Sequence, residues 1–190
     1  MTYIKLNNGL PGITGLLENR PDTAAPIRAL TQILLRGENT LTEMEREMIA
    51  TIVSFKNQCR YCTSAHAATV IALGGTQELL DSIYRNPEQA PVSEKMKALL
   101  AIAAMVQQSG KAVTPEHITR AKRAAATDRE IHDTVLIAAL FCLYNRYVDG
   151  MGTFCPEDPE YYKKLAGRLV TIGYDRPKNE LARQAEENFK

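Results

Sequence analysis

The sequence predicts an all-α protein. Apolar residues recur at helical spacing in several segments, and no segment shows the alternation of a strand flanked by hairpin turns. Two capping boxes, Thr42-x-x-Glu45 and Thr127-x-x-Glu130, mark helix starts, because in each box the hydroxyl and the carboxylate satisfy exposed backbone N–H groups. Two long helices opened in the same way also indicate an internal duplication of a helical unit.

Proline and glycine divide the chain into its elements. Residues 1–21 contain the turn signals Asn7-Asn8-Gly9 and Pro11-Gly12 and are predicted to be a loop. Asp22 is the expected cap of the first helix, which ends before Gly37. Helices are predicted at about 22–36, 42–56, 57–73, 76–84, 93–108, 115–125, 128–148, 158–172 and 178–188.

A helix break is expected near Lys56-Asn57. The helix before it carries an apolar stripe, and Asn57 is a suitable cap for the helix after it, which ends at Gly74-Gly75. The helix that starts at Thr127 is the most apolar one, so we expect it to be central.

Composition excludes several classes of protein. The chain has 190 residues, of which 45% are hydrophobic and 24% charged, as in ordinary globular proteins. A net charge of +1 provides no basic field for nucleic acid. The longest apolar run, 135–144, is about half of what a membrane span needs. The N-terminal residues lack the features of a signal peptide. We expect a cytoplasmic protein without nucleic acid or membrane partners.

The main chemical feature is the pair Cys59-x-x-Cys62, followed by His66. Three residues of a helix turn through about 300° and four through about 400°, so the three side chains share one face. A helix N-terminus stabilises a thiolate, the nucleophilic form of cysteine. His66, one turn beyond Cys62, can exchange a proton with the Cys62 sulfur. The pattern favours redox chemistry.

Two other interpretations of this stripe stay open. Free cysteines are often buried, so the three residues could belong to a core. They could also bind zinc, but a closed site needs a fourth ligand. The remaining cysteines and histidines stand alone in the sequence, at Cys142, Cys155, His117 and His132. We therefore expect neither a metal nor a cofactor.

A longer motif surrounds the pair. The run Glu43-x-Glu45-Arg46-Glu47-Met48-Ile49-Ala50-x-x-Val53-Ser54-x-x-Asn57-x-Cys59-x-Tyr61-Cys62-x-x-Ala65-His66 resembles the AhpD-like branch of the carboxymuconolactone decarboxylase superfamily, in its peroxidase-related subgroup. The segment 145–152 is similar to a second part of that subgroup. The resemblance implies one AhpD-like helical domain over 1–190, with a redox core at about 40–75 and a C-terminal helical extension at about 157–190. It also implies a homo-oligomer, a trimer or a hexamer.

The resemblance further implies a thiol-dependent alkyl hydroperoxide reductase. Cys62 would be the peroxidatic cysteine and Cys59 the resolving one, while Glu47 and His66 would form a proton relay. The substrate would be a small organic hydroperoxide, and a lipoyl-bearing protein or another dithiol would supply electrons. No metal, haem or flavin is implied.

One residue departs from the best-studied family pattern. Tyr61 stands where those members have a histidine, and a phenol is a poor base near neutral pH. The relay would then depend on Glu47 and His66 alone, and Tyr61 could equally be a packing residue. Asn145 and Asp149 lie one turn apart and could line the pocket or cap a helix end.

Other functions are also compatible with the sequence. A disulfide oxidoreductase, or a redox-sensing or zinc-binding module with little peroxidase turnover, would use the same three residues. A decarboxylating lyase of the kind that names the superfamily has no need for two cysteines at this spacing. A purely structural oligomer would tolerate serine at both positions.

Overall fold

Nine α-helices and two short 3-10 turns make up the part of the chain, residues 2–175, that the computed structural model describes. No strand is present in that range, so the predicted all-α class is confirmed. The helices are α1 (Gly12–Asn19), α2 (Pro21–Arg36), α3 (Glu43–Lys56), α4 (Arg60–Ala72), α5 (Gln77–Arg85), α6 (Glu94–Gln108), α7 (Pro115–Arg123), α8 (Asp128–Gly150) and α9 (Pro159–Thr171), and the 3-10 turns are Pro87–Gln89 and Gly110–Ala112.

The prediction that residues 1–21 form a loop was wrong, because α1 lies within them. Pro11-Gly12 begins this helix instead of a turn. Gly12 has a φ of 55°, and a Cβ atom there would lie 2.3 Å from the ring of Tyr61. The close approach to Tyr61, which is distant in sequence, therefore fixes the start of α1.

Two predicted caps were also wrong. Helix α2 begins at Pro21, whose fixed φ suits the first helical position, and Asp22 instead pairs with Arg20 at 2.8 Å. Asn57 ends α3, and Cys59 is the residue that precedes α4. The predicted helix at 178–188 lies outside the described residues, and homo-oligomer formation stays a prediction.

Helix α3 is the centre of the fold. It packs against α4, α6 and α8, and most of its residues are buried on all sides. Helix α8 contacts both α3 and α6, in agreement with the expected central place of the most apolar helix. The largest side chains of this core are fully buried, among them Met48, Ile49, Ile52, Leu99, Leu100 and Phe141.

A second, smaller apolar cluster lies where α4 meets α9 and the end of α8. Its buried members are Cys59, Tyr61, Cys62, Ala65, Val148 and Tyr162. The cysteine pair is thus packed in this smaller cluster and not in the main core. No helix within residues 2–175 is long and apolar enough to cross a membrane.

The capping box at the start of α3 makes a testable contribution to stability. The Thr42 hydroxyl accepts from the Glu45 N–H at 3.2 Å, and the Glu45 carboxylate accepts from the Thr42 N–H at 2.8 Å. We expect Thr42→Ala to lower the free energy of unfolding by about 1 kcal/mol in urea denaturation. Thr171→Ala is the matched control, because that exposed hydroxyl bonds only to the Gly167 carbonyl of its own helix. Equal effects of the two substitutions would contradict the capping role.

Candidate active site

Cys59 and Cys62 lie at the start of α4 and are both unbridged. Cys59 is fully buried and Cys62 is 3% exposed. The hydrogen bond that the Cys59 thiol donates to the Cys62 sulfur, together with burial, raises the pKa of Cys59 well above its usual value. Cys59 therefore holds its proton more firmly than an ordinary cysteine does.

The turn between α3 and α4 reverses the chain and brings Glu47 to His66. Helix α3 ends at Lys56, as the sequence predicts, and Gln58 takes a left-handed conformation with φ of 59°. The Nδ1 atom of His66 then lies 2.7 Å from a carboxylate oxygen of Glu47. Two residues that are nineteen positions apart in sequence are thus in direct contact.

Glu47 is completely buried and has two further partners. Its other carboxylate oxygen accepts from Arg36 Nη2 at 2.7 Å and from the Tyr174 hydroxyl at 2.6 Å. The guanidinium of Arg36 also lies over the Tyr174 ring, 5.0 Å from its centre. Arg36, Tyr174 and His66 thus surround the carboxylate on the interior side of α3.

These partners decide the charge of Glu47. Burial acts to raise its pKa, but His66, Arg36 and Tyr174 outweigh burial, so the pKa of Glu47 is lowered. Burial and the neighbouring Glu47 raise the pKa of Tyr174 well above its usual value, which keeps the phenol a hydrogen-bond donor. Glu47 is therefore an ionised acceptor, and we assign the Nδ1–H tautomer to His66, so that its Nε2 is the basic nitrogen.

Cys62 and His66 line one cavity between α1, α4 and α9, with about 70 Å³ of room for small groups. Its wall surface is mostly apolar, and side chains of α1, α4 and α9 contribute to it. The ring of His66 is held edge-on against Phe141, with ring centres 4.5 Å apart. A molecule in the cavity would meet the Cys62 sulfur and the His66 ring together.

Tyr61 makes contacts that favour the packing role. Its hydroxyl lies 3.0 Å from that of Tyr161 and 3.4 Å from Thr14 Oγ1. Burial is the main reason why the pKa of Tyr61 is raised well above its usual value. A phenol that holds its proton so firmly cannot take the place of a basic histidine.

Three residues at the site were not foreseen from the sequence in these roles. Arg36 and Tyr174 contact Glu47 from the end of α2 and from the segment after α9. Asp149, in the last turn of α8, interacts with the Cys59 thiol; burial raises the pKa of Asp149 and the thiol lowers it, with a net rise. For Arg36 and Tyr174 the sequence carries no local signal.

The other candidate residues lie elsewhere. Asn145 is buried and donates to Ser54 Oγ at 3.1 Å while accepting from Asn57 Nδ2 at 2.8 Å, so it ties α8 to the turn before Cys59. Cys142 is 3.6 Å from the same Asn57 nitrogen, and Cys155 is 3.0 Å from the Tyr162 hydroxyl. Within residues 2–175 no three His, Cys, Asp or Glu side chains are arranged to hold a metal ion.

This chain is similar in sequence to one protein family and to a curated protein. Residues 21–103 match the family model of the carboxymuconolactone decarboxylase family. Sestrin-2 of Bos taurus is 27% identical over 145 residues, which cover 74% of this chain and 29% of that protein. The chain thus spans less than a third of the length of this curated relative.

Two solved structures are similar over most of their length. A peroxidase-related protein from Silicibacter sp. TM1040 superposes with a TM-score of 0.73 at 26% identity, over 82% of this chain and 80% of that one. The alkylhydroperoxidase AhpD core of a peroxidase-related protein from Ralstonia eutropha JMP134 gives a TM-score of 0.73 at 26% identity, over 83% and 81%. Both similarities extend well beyond the cysteine motif.

Removing the charge of Glu47 tests its place in the site. In Glu47→Gln the buried Arg36, whose side chain is 5% exposed, loses its main counter-ion. We expect the free energy of unfolding near neutral pH to fall by about 3–5 kcal/mol, the cost of leaving a buried charge unpaired. Because the folded-state pKa of Glu47 is lowered, its contribution is complete above the ordinary Glu value, about 4.3, and is lost as the pH falls through the folded-state value.

Urea unfolding from neutral to acidic pH measures this effect. The difference in the free energy of unfolding between wild type and variant should become smaller in acid. Glu43→Gln is the control, because that carboxylate is partly exposed and lies 3.6 Å from Arg36 Nε. It should change stability by no more than about 1 kcal/mol. A pH-independent gap for Glu47→Gln would mean that Glu47 is not the ionised partner of Arg36.

Proposed function

We propose that this chain, which matches the model of the carboxymuconolactone decarboxylase family over residues 21–103 and has an AhpD-like fold, is a thiol-dependent alkyl hydroperoxide reductase. The observation that carries the proposal is that a pair of thiols and a histidine–glutamate pair lie at the same cavity. A hydrogen-bonded dithiol, Cys59 and Cys62, adjoins a cavity that also exposes His66, and His66 is held by an ionised Glu47.

In the first step Cys62 attacks the peroxide. His66 Nε2 takes the Cys62 proton, and the Glu47 carboxylate stabilises the imidazolium that forms. The thiolate attacks one peroxide oxygen, the O–O bond breaks, and the leaving alkoxide takes a proton from His66. One thiol and one hydroperoxide thus give a Cys62 sulfenic acid and one alcohol.

In the second step Cys59 resolves the sulfenic acid. The Cys59 thiolate attacks the Cys62 sulfur, the S–O bond breaks, and the leaving hydroxide takes a proton from solvent, so that one disulfide and one water form. Cys59 must lose its proton in this step, and Asp149, which interacts with the Cys59 thiol, is the proposed proton acceptor. Asp149 is exposed at the surface, so it can pass that proton to solvent.

A dithiol must then reduce the disulfide, and a lipoyl-type group or a dithiol protein is the proposed class of donor. The arrangement of Tyr61 supports a second candidate, a disulfide oxidoreductase with little peroxidase turnover. Its hydroxyl is engaged by Thr14 and Tyr161, so the site has one base fewer than the family pattern would provide. In that case the cysteine pair would exchange with dithiols but would not form a sulfenic acid with a peroxide.

Trapping of the sulfenic acid distinguishes the two candidates. Pre-reduced Cys59→Ser, treated with one equivalent of cumene hydroperoxide in the presence of dimedone, should carry the dimedone adduct on Cys62 by peptide mapping. Cys62→Ser should carry no adduct, because Cys59 is fully buried and does not line the cavity. A Cys142→Ser, Cys155→Ser double variant is the control and should react as fast as wild type.

The absence of any adduct in Cys59→Ser, with its thiols still reduced, would reject the peroxidase. An adduct on Cys59 in Cys62→Ser would reverse the assignment of the two cysteines. Disulfide exchange with dihydrolipoamide in wild type, combined with no sulfenic acid, would select the oxidoreductase.

A further inference from the structure

Arg168, in the last turn of α9, has an unpaired buried atom. Its Nη1 is inaccessible to solvent and has no hydrogen-bond partner in the described structure. The other arginines of the interior are paired: Arg36 binds Glu47, and Arg46 Nη1 donates to the carbonyls of Leu34 and Gly37 at 3.1 and 2.8 Å. Buried polar atoms are normally satisfied, so the unpaired Nη1 of the half-buried Arg168 points to a missing partner.

The Arg168 side chain lies at the wall of the cavity that contains Cys62 and His66. Arg168 is one of the lining residues, together with Arg28 from the other wall. Arg28 is already paired with Glu18. Arg168 therefore has no ion-pair partner within the described residues, and it lines the same cavity as Cys62.

The other side chains of the cavity wall indicate which kind of molecule would supply a negative charge to Arg168. Ile13, Leu17, Leu165 and Leu169 present hydrocarbon surface. A planar guanidinium binds a carboxylate through two parallel hydrogen bonds, and one such group matches one negative charge. The small cavity, about 70 Å³ for small groups, limits the hydrocarbon part to a short chain.

We propose that the cavity binds a short-chain organic acid that carries the hydroperoxide, with its carboxylate on Arg168 and its peroxide group at Cys62. This inference rests on the proposed peroxidase function and names its substrate class. Arg168 orients the substrate through the carboxylate and takes no part in breaking the O–O bond. A charge-assisted hydrogen bond is worth about 1.5–3 kcal/mol, so the acid should react about 10- to 100-fold more efficiently than its neutral ester.

The test compares a short tertiary hydroperoxide that carries a free carboxylate with the methyl ester of the same compound. For wild type we expect the ratio of kcat/KM for acid over ester to be at least about tenfold. In Arg168→Gln this ratio should fall close to one, mainly through a higher KM for the acid. Arg146→Gln is the control, since Arg146 is exposed and its Nη1 bonds a carbonyl of its own helix, that of Cys142; it should keep the wild-type ratio.

Equal kcat/KM of wild type for acid and ester would overturn the inference while leaving the peroxidase intact. If wild type reduces neither compound, the proposed function fails, and binding of an unreactive acid decides the inference by itself. Calorimetry with hexanoate should then detect binding to wild type and to Arg146→Gln but not to Arg168→Gln. Absence of hexanoate binding to wild type, or equal binding to Arg168→Gln, would overturn the carboxylate site.

Discussion

The Glu47 carboxylate is fully buried, and the arrangement of the site depends on how its charge is balanced. An ionised carboxylate in an apolar interior is very unfavourable unless it is paired and fully hydrogen-bonded. Arg36 from α2, His66 from α4 and Tyr174 from the segment after α9 supply that balance. A single charge thereby holds three parts of the chain against α3, and it fixes the ring and the tautomer of His66 at the cavity wall.

The same geometry makes the two cysteines unequal. Cys62 lines the cavity beside His66, whereas Cys59 is fully buried, donates to Cys62 and contacts Asp149 on the end of α8. Under the proposed function each sulfur would therefore have its own carboxylate: Glu47 would act on Cys62 through His66, and Asp149 would act on Cys59 directly. Separate acceptors suit a reaction in which the two thiols lose their protons in different steps. Under the proposed function, attack and resolution would not compete for one base.

Local pattern was sufficient for most helices and for the spacing of Cys62 and His66 on α4, because capping boxes, glycines and helical spacing act within a few residues. Cys59, in contrast, lies just before that helix. Glu47 could be identified only through the family resemblance, since a glutamate near the start of a helix is usually exposed. The contact of Tyr174 with Glu47 spans 127 residues and leaves no local signal. Helix α1 was missed for the same reason, because its first residue, Gly12, is set by contact with the ring of Tyr61.

The most direct measurement is the stoichiometric reaction of pre-reduced wild-type protein with one equivalent of an organic hydroperoxide, stopped by rapid acid quench. Intact mass, peptide mapping and chromatography of the small molecules would be read from the same sample. The account predicts one Cys59–Cys62 disulfide and one alcohol for each hydroperoxide consumed, with Cys142 and Cys155 still reduced. Unchanged thiols, or oxidation spread over all four cysteines without a Cys59–Cys62 bridge, would contradict it.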